Sequence, residues 1–138
     1  MDITSSNSGD IIQLGDGGGR GYPLGRARAV FKADGAETND SYSVSEWWLD
    51  PGFAGFGAHR HDANDDMFYV LAGEVTFVLD GQTSVAGAGS FLRVPPGVEH
   101  DYRNDGSAAA RIVNVFIPGG FEIEMPKIVE WFAAQSVS

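Results

Sequence analysis

The sequence contains no cysteine, and it has only three histidines and nine basic residues among its 138 positions. Without cysteine the chain can form neither disulfides nor thiolate metal sites, so a bound metal must be held by imidazole nitrogen and by oxygen. The absence also fits a reducing compartment, and we expect a cytoplasmic protein. No apolar run approaches the ~18 residues that span a bilayer, and the first residues lack the basic and hydrophobic parts of a secretory signal.

Basic residues are few beside the acidic ones. Nineteen acidic residues against nine basic residues give a formal net charge of -10 at pH 7. An excess of this sign repels nucleic acid phosphates and anionic membrane surfaces. We therefore expect no nucleic acid and no membrane partner, and we look for a small-molecule substrate.

The composition changes near residue 25. Residues 1–25 are rich in Ser, Gly and Asp and predict a flexible amino-terminal arm, in which "IIQL" is a candidate short strand. The run "GDGGGRG" follows no strong strand and opens no amphipathic helix, so a phosphate-binding role is not predicted. Residues 26–138 are enough for one domain with its own core.

Strand-length segments separated by turn residues fill most of the domain. Examples are "SYSVSEWWL", "MFYVLAG", "EVTFVLD" and "ARIVNVFI", with "DPG", "DGQ" and "PPG" among the turns. This pattern predicts an all-β antiparallel sandwich or small barrel. Only the tail has helical periodicity, with Pro126 in the first turn and an apolar stripe that includes Ile128 and Phe132, so we predict a carboxy-terminal helix from about residue 126.

The segment "MFYVL" is apolar on both of its strand faces. A sheet with one solvated face would not need this, so Met67, Tyr69 and Leu71 are predicted to lie against a second cover such as a partner subunit. The sequence therefore predicts a homodimer.

All three histidines fall within two motifs. The first motif runs from Gly52 to Gly73 and contains His59 and His61, which would share one face of a strand because side chains alternate. The second motif has the form Gly-x5-Pro-x-Gly-x2-His-x3-Asn and consists of Gly89, Pro95, Gly97, His100 and Asn104. Both motifs resemble those of the cupin superfamily, and over about residues 43–118 the chain is similar to small single-domain cupins of the quercetin dioxygenase kind.

The resemblance implies an antiparallel double-stranded β-helix, or jelly-roll barrel, with one divalent metal bound by His59, His61, Asp66 and His100. Two features depart from the first cupin motif. Six residues separate Gly52 from His59 where the family has five, and Asp66 stands where the family has glutamate. Aspartate is shorter by one methylene, about 1.5 Å. Either Asp66 reaches the metal weakly or through water, or the three imidazoles bind it alone. Asp65 is a second candidate, but it would point to the opposite face of the strand.

Imidazole with carboxylate suits Fe, Mn, Ni, Cu or Zn and leaves coordination positions open, without choosing among these metals. Strand alternation predicts that the pocket walls are apolar and aromatic. The predicted wall residues are Trp47 (or Trp48 in its place), Phe68, Val70, Phe77 and Tyr102. Tyr102 would lie on the same face as His100, and it and Asp66 are the candidate catalytic groups for proton transfer.

Three functional hypotheses follow. The first is a metal-dependent dioxygenase that acts on a small aromatic or carbonyl-containing substrate. The second is a metal-dependent isomerase, cyclase or lyase that acts on a small carbonyl compound, with the metal as Lewis acid and Tyr102 or Asp66 transferring a proton. The third is a cupin that binds a small molecule without catalysis, since one fold supports many activities.

Overall fold

The computed structural model of the protein describes residues 9–135. Within that range it contains nine β-strands, two short 3-10 helices and one α-helix. The strands are β1 (Arg20–Leu24), β2 (Ala27–Ala33), β3 (Ser43–Leu49), β4 (Asp65–Ala72), β5 (Glu74–Leu79), β6 (Gln82–Gly87), β7 (Phe91–Val94), β8 (His100–Arg103) and β9 (Ala110–Ile117). The 3-10 helices span Gly35–Glu37 and Phe121–Glu124, and helix α1 spans Met125–Gln135.

The strands form two antiparallel sheets. The larger sheet has six strands in the order β1-β2-β3-β9-β4-β7, and the smaller has three in the order β6-β5-β8. This arrangement, with the helix at the carboxy-terminal end, confirms the predicted antiparallel jelly-roll fold. The hydrogen-bonded ladder does not close on itself, because the two sheets remain separate.

The core lies where the alternating inward side chains of the strands meet. Strand β9 shows the pattern clearly, since Ala110, Ile112, Asn114 and Phe116 are buried while the residues between them are partly exposed. The inward aromatic rings are large, and each contributes about 1.5–3 kcal/mol on full burial. Phe31 and Phe77 are fully buried members of the same core cluster.

The arm predicted over residues 1–25 falls partly outside the described residues. Its last part, Arg20–Leu24, pairs with β2 as strand β1, so the six-stranded sheet begins within the range predicted for the arm. The physical reason is packing, because Leu24 is fully buried and the Tyr22 ring meets the Phe31 ring edge-on at 5.5 Å. The candidate strand "IIQL" contributes a single bridge residue, Gln13.

Helix α1 begins at Met125, one residue before the predicted start. Met125 is fully buried, and the Phe132 ring packs 5.5 Å from the ring of Phe56 in the loop before the histidine pair. The helix therefore lies beside the segment that carries His59 and His61. Across residues 9–135, no helix is both long enough and apolar enough to cross a membrane.

Candidate metal centre

The histidine pair lies on a loop and not on the regular strand that its spacing predicts. Gly55 and Gly57 have φ angles of +108° and +94°, which interrupt the extended backbone before His59. His59 then forms one isolated bridge with the start of β8. The His59 N–H donates to the His100 carbonyl at 3.0 Å, and the His100 N–H donates to the His59 carbonyl at 2.8 Å. The two motifs are thus joined directly through the backbones of these histidines.

Asp101 fixes the loop that precedes His59. Its Oδ1 accepts hydrogen bonds from the N–H groups of Phe56 at 2.9 Å and Tyr102 at 2.8 Å, and its Oδ2 accepts one from the N–H of Gly57 at 3.2 Å. A side chain at Gly55 would collide with this carboxylate, because an added Cβ would lie 2.6 Å from Oδ2. In the "GFG" sequence, Gly55 therefore leaves room for the Asp101 carboxylate, while Phe56 and Gly57 donate hydrogen bonds to it.

The three imidazoles converge. One ring nitrogen from each of His59, His61 and His100 lies within 4.8 Å of the other two. The ring centroids of His59 and His100 are 4.5 Å apart, and the other two centroid pairs are 5.2 and 5.4 Å apart. Three imidazole nitrogens at this spacing can hold one metal ion.

The rings of His59 and His100 are each oriented by a contact with the backbone carbonyl two residues earlier in the chain. Nδ1 of His59 lies 2.8 Å from the Gly57 carbonyl, and Nδ1 of His100 lies 2.9 Å from the Val98 carbonyl. A carbonyl only accepts, so each Nδ1 carries the proton and each ring offers Nε2 as its other nitrogen. A hydrogen bond from one ring nitrogen to a carbonyl is the usual way in which a metal-binding histidine is oriented.

Nε2 of His61 is free of hydrogen bonds in the described part of the chain and can bind a metal. Its Nε2 is buried and has no hydrogen-bond partner among residues 9–135. Burial lowers the pKa of His61, and the charges of His59 and His100 add to this, while the carboxylates of Asp66 and Glu124 oppose it. A neutral imidazole whose Nε2 is buried and has no hydrogen-bond partner is the state that a metal ligand requires, so these residues fit a divalent transition metal.

Asp66 lies under the imidazoles and is 5% exposed. Its Oδ2 is 3.0 Å from Nε2 of His100 and 3.6 Å from Nε2 of His61. Its Oδ1 accepts a short hydrogen bond from the side-chain amide of Asn114, which also donates to the Met67 carbonyl at 3.1 Å. Asp66 is not one of the three mutually close groups, but its carboxylate contacts two of them.

The pairing with Asp66 changes the protonation of His100. Burial by itself lowers the pKa of His100, but the hydrogen bond with Asp66, the contact with the Val98 carbonyl and the charge of Asp66 together raise it above its ordinary value. Asp65 takes no part in this, because it points to the other face and pairs with Arg93 at 2.7 Å. Asp66 therefore lies on the inner face of β4 and Asp65 on the outer face, as the alternation of strand side chains predicts.

A cavity of about 660 Å³ opens beside His59 and His61. His100 lies behind them and is 1% exposed. The cavity wall is mainly apolar and aromatic and is formed by Trp47, Phe56, Tyr102, Phe116, Phe121, Ile128, Trp131 and Phe132. Burial raises the pKa of Tyr102 well above its ordinary value, and the charges of Asp66 and Asp101 add to this effect, so its hydroxyl keeps its proton.

The structure places only two of the predicted wall residues, Trp47 and Tyr102, on the cavity. Phe68, Val70 and Phe77 do not line it, because they point between the two sheets and are at most 2% exposed. The Phe68 ring meets the ring of Tyr102 edge-on, with the centroids 5.3 Å apart. These three residues therefore support the wall instead of forming it.

Three polar side chains near the imidazoles lie outside both motifs. Asn114 could have been noticed in the sequence, since it is the polar residue at an inward position of "ARIVNVFI". Glu124 and Lys127 line the cavity from the carboxy-terminal segment. Their position depends on how the tail folds back, and no spacing in the sequence indicates it.

The family model described as "Cupin domain" matches residues 45–116, which is just over half of the chain. The chain is a cupin. Over 64 residues this cupin is 41% identical to quercetin 2,3-dioxygenase of Bacillus subtilis (strain 168), a match that covers 46% of the chain and 19% of that protein. Over 110 residues it is 31% identical to endoribonuclease YbeY of Myxococcus xanthus (strain DK1622), covering 72% of the chain and 37% of that protein.

Among solved structures, the cupin resembles an RmlC-like cupin from Shewanella frigidimarina NCIMB 400. The TM-score is 0.66 at 21% sequence identity, and the match covers 80% of this chain and 93% of that one. This likeness supports the fold. The matched part of the chain spans about a fifth of the length of the quercetin dioxygenase and about a third of the length of the endoribonuclease.

Proposed function

We propose that this cupin is a metal-dependent dioxygenase that acts on a small aromatic substrate bearing an enol or carbonyl oxygen. The observation that carries the proposal is the meeting of three imidazole nitrogens, mutually within 4.8 Å, at the side of an aromatic cavity of about 660 Å³. The 41% identity to a segment of quercetin 2,3-dioxygenase supports the same reaction class.

His59, His61 and His100 would hold one divalent transition metal. Bound there, the metal would act as a Lewis acid towards a substrate oxygen and would supply the chemistry with dioxygen. The carbonyls of Gly57 and Val98 keep the Nε2 atoms of His59 and His100 available for it. Asp66 would either bind the metal through Oδ2 or hold His100 in place, since its other oxygen is fixed by Asn114.

The cavity walls favour a flat, apolar substrate. The Trp47 ring meets the Phe56 ring edge-on at 5.3 Å, and the Tyr102 ring lies 5.0 Å from that of Phe56. Such walls bind aromatic rings by burying apolar area and by edge-to-face contact.

We further propose that the cupin is a homodimer, and that it is cytoplasmic, which its lack of cysteine fits. Tyr69 and Leu71 point outward from β4 and are 46% and 43% exposed, and Phe91, which pairs with Tyr69 across the sheet, is 63% exposed. Strand β7 is an edge of the six-stranded sheet. An apolar patch beside an open edge favours a second copy of the chain as its cover.

The test is to purify the cupin, measure bound metal by mass spectrometry, and follow oxygen uptake with quercetin as the probe substrate. We expect bound metal, quercetin-dependent oxygen uptake, and loss of both in His59→Ala and His100→Ala. Metal below about 0.2 equivalents, with no rise in melting temperature on adding Fe(II), Mn(II), Ni(II) or Zn(II), would contradict the proposal. Bound metal without oxygen uptake would exclude quercetin oxygenation and leave the isomerase, cyclase, lyase and binding hypotheses.

A further inference from the structure

Among residues 9–135, one carboxylate lies on the cavity wall, and it is not the one that the sequence motif indicates. Asp66 occupies the motif position, but it does not line the cavity and is 5% exposed. Both of its oxygens are engaged, Oδ1 by Asn114 and Oδ2 by His100. Metal binding to His100 would release Oδ2, but Asp66 would still lie outside the cavity wall, with Oδ1 held by Asn114.

Glu124 is the carboxylate that faces the cavity. It ends the 3-10 helix Phe121–Glu124 and lines the cavity together with His59 and His61. It is close enough to His61 for its charge to act on the pKa of that ring. Within residues 9–135 its side chain has no hydrogen bond and no ion pair, so its oxygens remain available to a ligand.

The other polar groups on the wall do not compete with Glu124 as a base. Tyr102 keeps its proton because its pKa is raised well above the ordinary value. The side chain of Asn64 is an amide, which is not a base, and it donates to the Pro118 carbonyl at 3.0 Å. His59 and His61 are the groups that would hold the metal.

We propose that Glu124 is the proton acceptor of this site and takes the proton from a substrate hydroxyl that faces the three imidazoles. The inference rests on the proposed function, because it assumes an enol-type hydroxyl on the substrate. In this step the substrate O–H bond breaks and an O–H bond forms on a Glu124 carboxylate oxygen. The electron pair stays on the substrate oxygen, and nothing is oxidised or reduced. A positioned general base of this kind contributes about 10²–10⁴-fold to a reaction rate.

The test uses Zn(II)-loaded protein and quercetin in the absence of oxygen, so that binding and deprotonation are observed without turnover. Loss of the enol proton moves the absorption band of bound quercetin to longer wavelength. We expect this shift with the wild type and not with Glu124→Gln, while Glu124→Gln still binds quercetin and keeps its Zn(II). Glu130→Gln is the matched control, because Glu130 is exposed on the adjoining helix α1 and does not line the cavity; it should give the wild-type shift.

Each failure has its own signature. If the wild type binds no quercetin, the proposed function is contradicted and the role of Glu124 with it. If the wild type binds quercetin and Glu124→Gln gives the same shift, the role of Glu124 is overturned while the proposed function stands. Loss of Zn(II) from Glu124→Gln would make Glu124 a metal ligand and would also overturn the proposal. With oxygen restored, quercetin turnover by Glu124→Gln should fall by about 10²-fold.

Discussion

Nε2 of His100 lies 3.0 Å from Oδ2 of Asp66, and Nδ1 of the same ring is held by the Val98 carbonyl. With both ring nitrogens beside acceptors, His100 is stabilised as imidazolium, and its pKa is raised accordingly. The nitrogen that a metal would take is thus the one that shares a proton with Asp66. Metal and proton therefore compete for one atom.

This competition predicts how metal affinity depends on pH. Zn(II) requires neutral His100, so the affinity is retained above the raised pKa of His100 and is lost as the pH falls through it. In Asp66→Asn the charge that raises this pKa is removed and the hydrogen bond from Nε2 loses its charged acceptor, so the midpoint of the loss should move to lower pH. Competition titration against a chromophoric chelator, between about pH 5 and 8, measures both midpoints. Asp65→Asn, on the outer face, is the control, and an unmoved midpoint in Asp66→Asn would contradict the prediction.

A second prediction concerns Asn114, whose amide satisfies Oδ1 of Asp66. Asn114→Ala leaves that oxygen buried without a donor, and the loss should lower the free energy of unfolding by about 1–3 kcal/mol. Urea unfolding of the metal-free protein gives the value. The double variant Asn114→Ala with Asp66→Ala should lose less than the sum of the two single variants, because the unpaired carboxylate is then absent. Additive losses would show that the two side chains are not coupled.

The fold and the imidazole group could be predicted from the sequence because local patterns determine them. Alternating apolar residues and turn residues specify the strands, and fixed spacings bring His59, His61 and His100 into recognisable positions. The strand predicted around His59 is wrong because Gly55 and Gly57 adopt positive φ angles. The strand predictions used only residues that are close together in the chain, whereas the meeting of His100 with His59 and His61 was implied by the resemblance to cupins.

Other features of the site depend on contacts between distant segments. Whether an inward residue lines a cavity or lies in the core depends on the distance between the sheets, and alternation alone could not separate Tyr102 from Phe68. Glu124 reaches the cavity because the tail folds back after β9. Asn114 and Asp66 meet across neighbouring strands, 48 residues apart.

A third prediction tests whether Asp101 positions His59 at a distance. Asp101→Ala removes three hydrogen bonds, including those to the N–H groups of Phe56 and Gly57, and so loosens the loop whose Gly57 carbonyl orients the His59 ring. Zn(II) affinity should fall by about 10-fold although Asp101 is not a ligand. Asp105→Ala is the control, since Asp105 pairs with Arg103 at the surface and holds no part of the loop before His59 in the described chain. Equal affinities in the two variants would assign Asp101 no role at the metal centre.

The fourth prediction concerns the patch formed by Tyr69, Leu71 and Phe91. If a second copy covers it, light scattering after size exclusion should give twice the chain mass of 14.7 kDa for the wild type. Phe91→Glu should give the monomer mass, because it would bury a carboxylate in the interface without a partner. Val85→Glu is the matched control, since Val85 is equally exposed, at 63%, but lies on β6 of the other sheet. A monomeric wild type, or a Phe91→Glu variant that remains dimeric, would remove this face as the interface. Retention of bound metal by monomeric Phe91→Glu is also expected, because the three imidazoles come from a single chain.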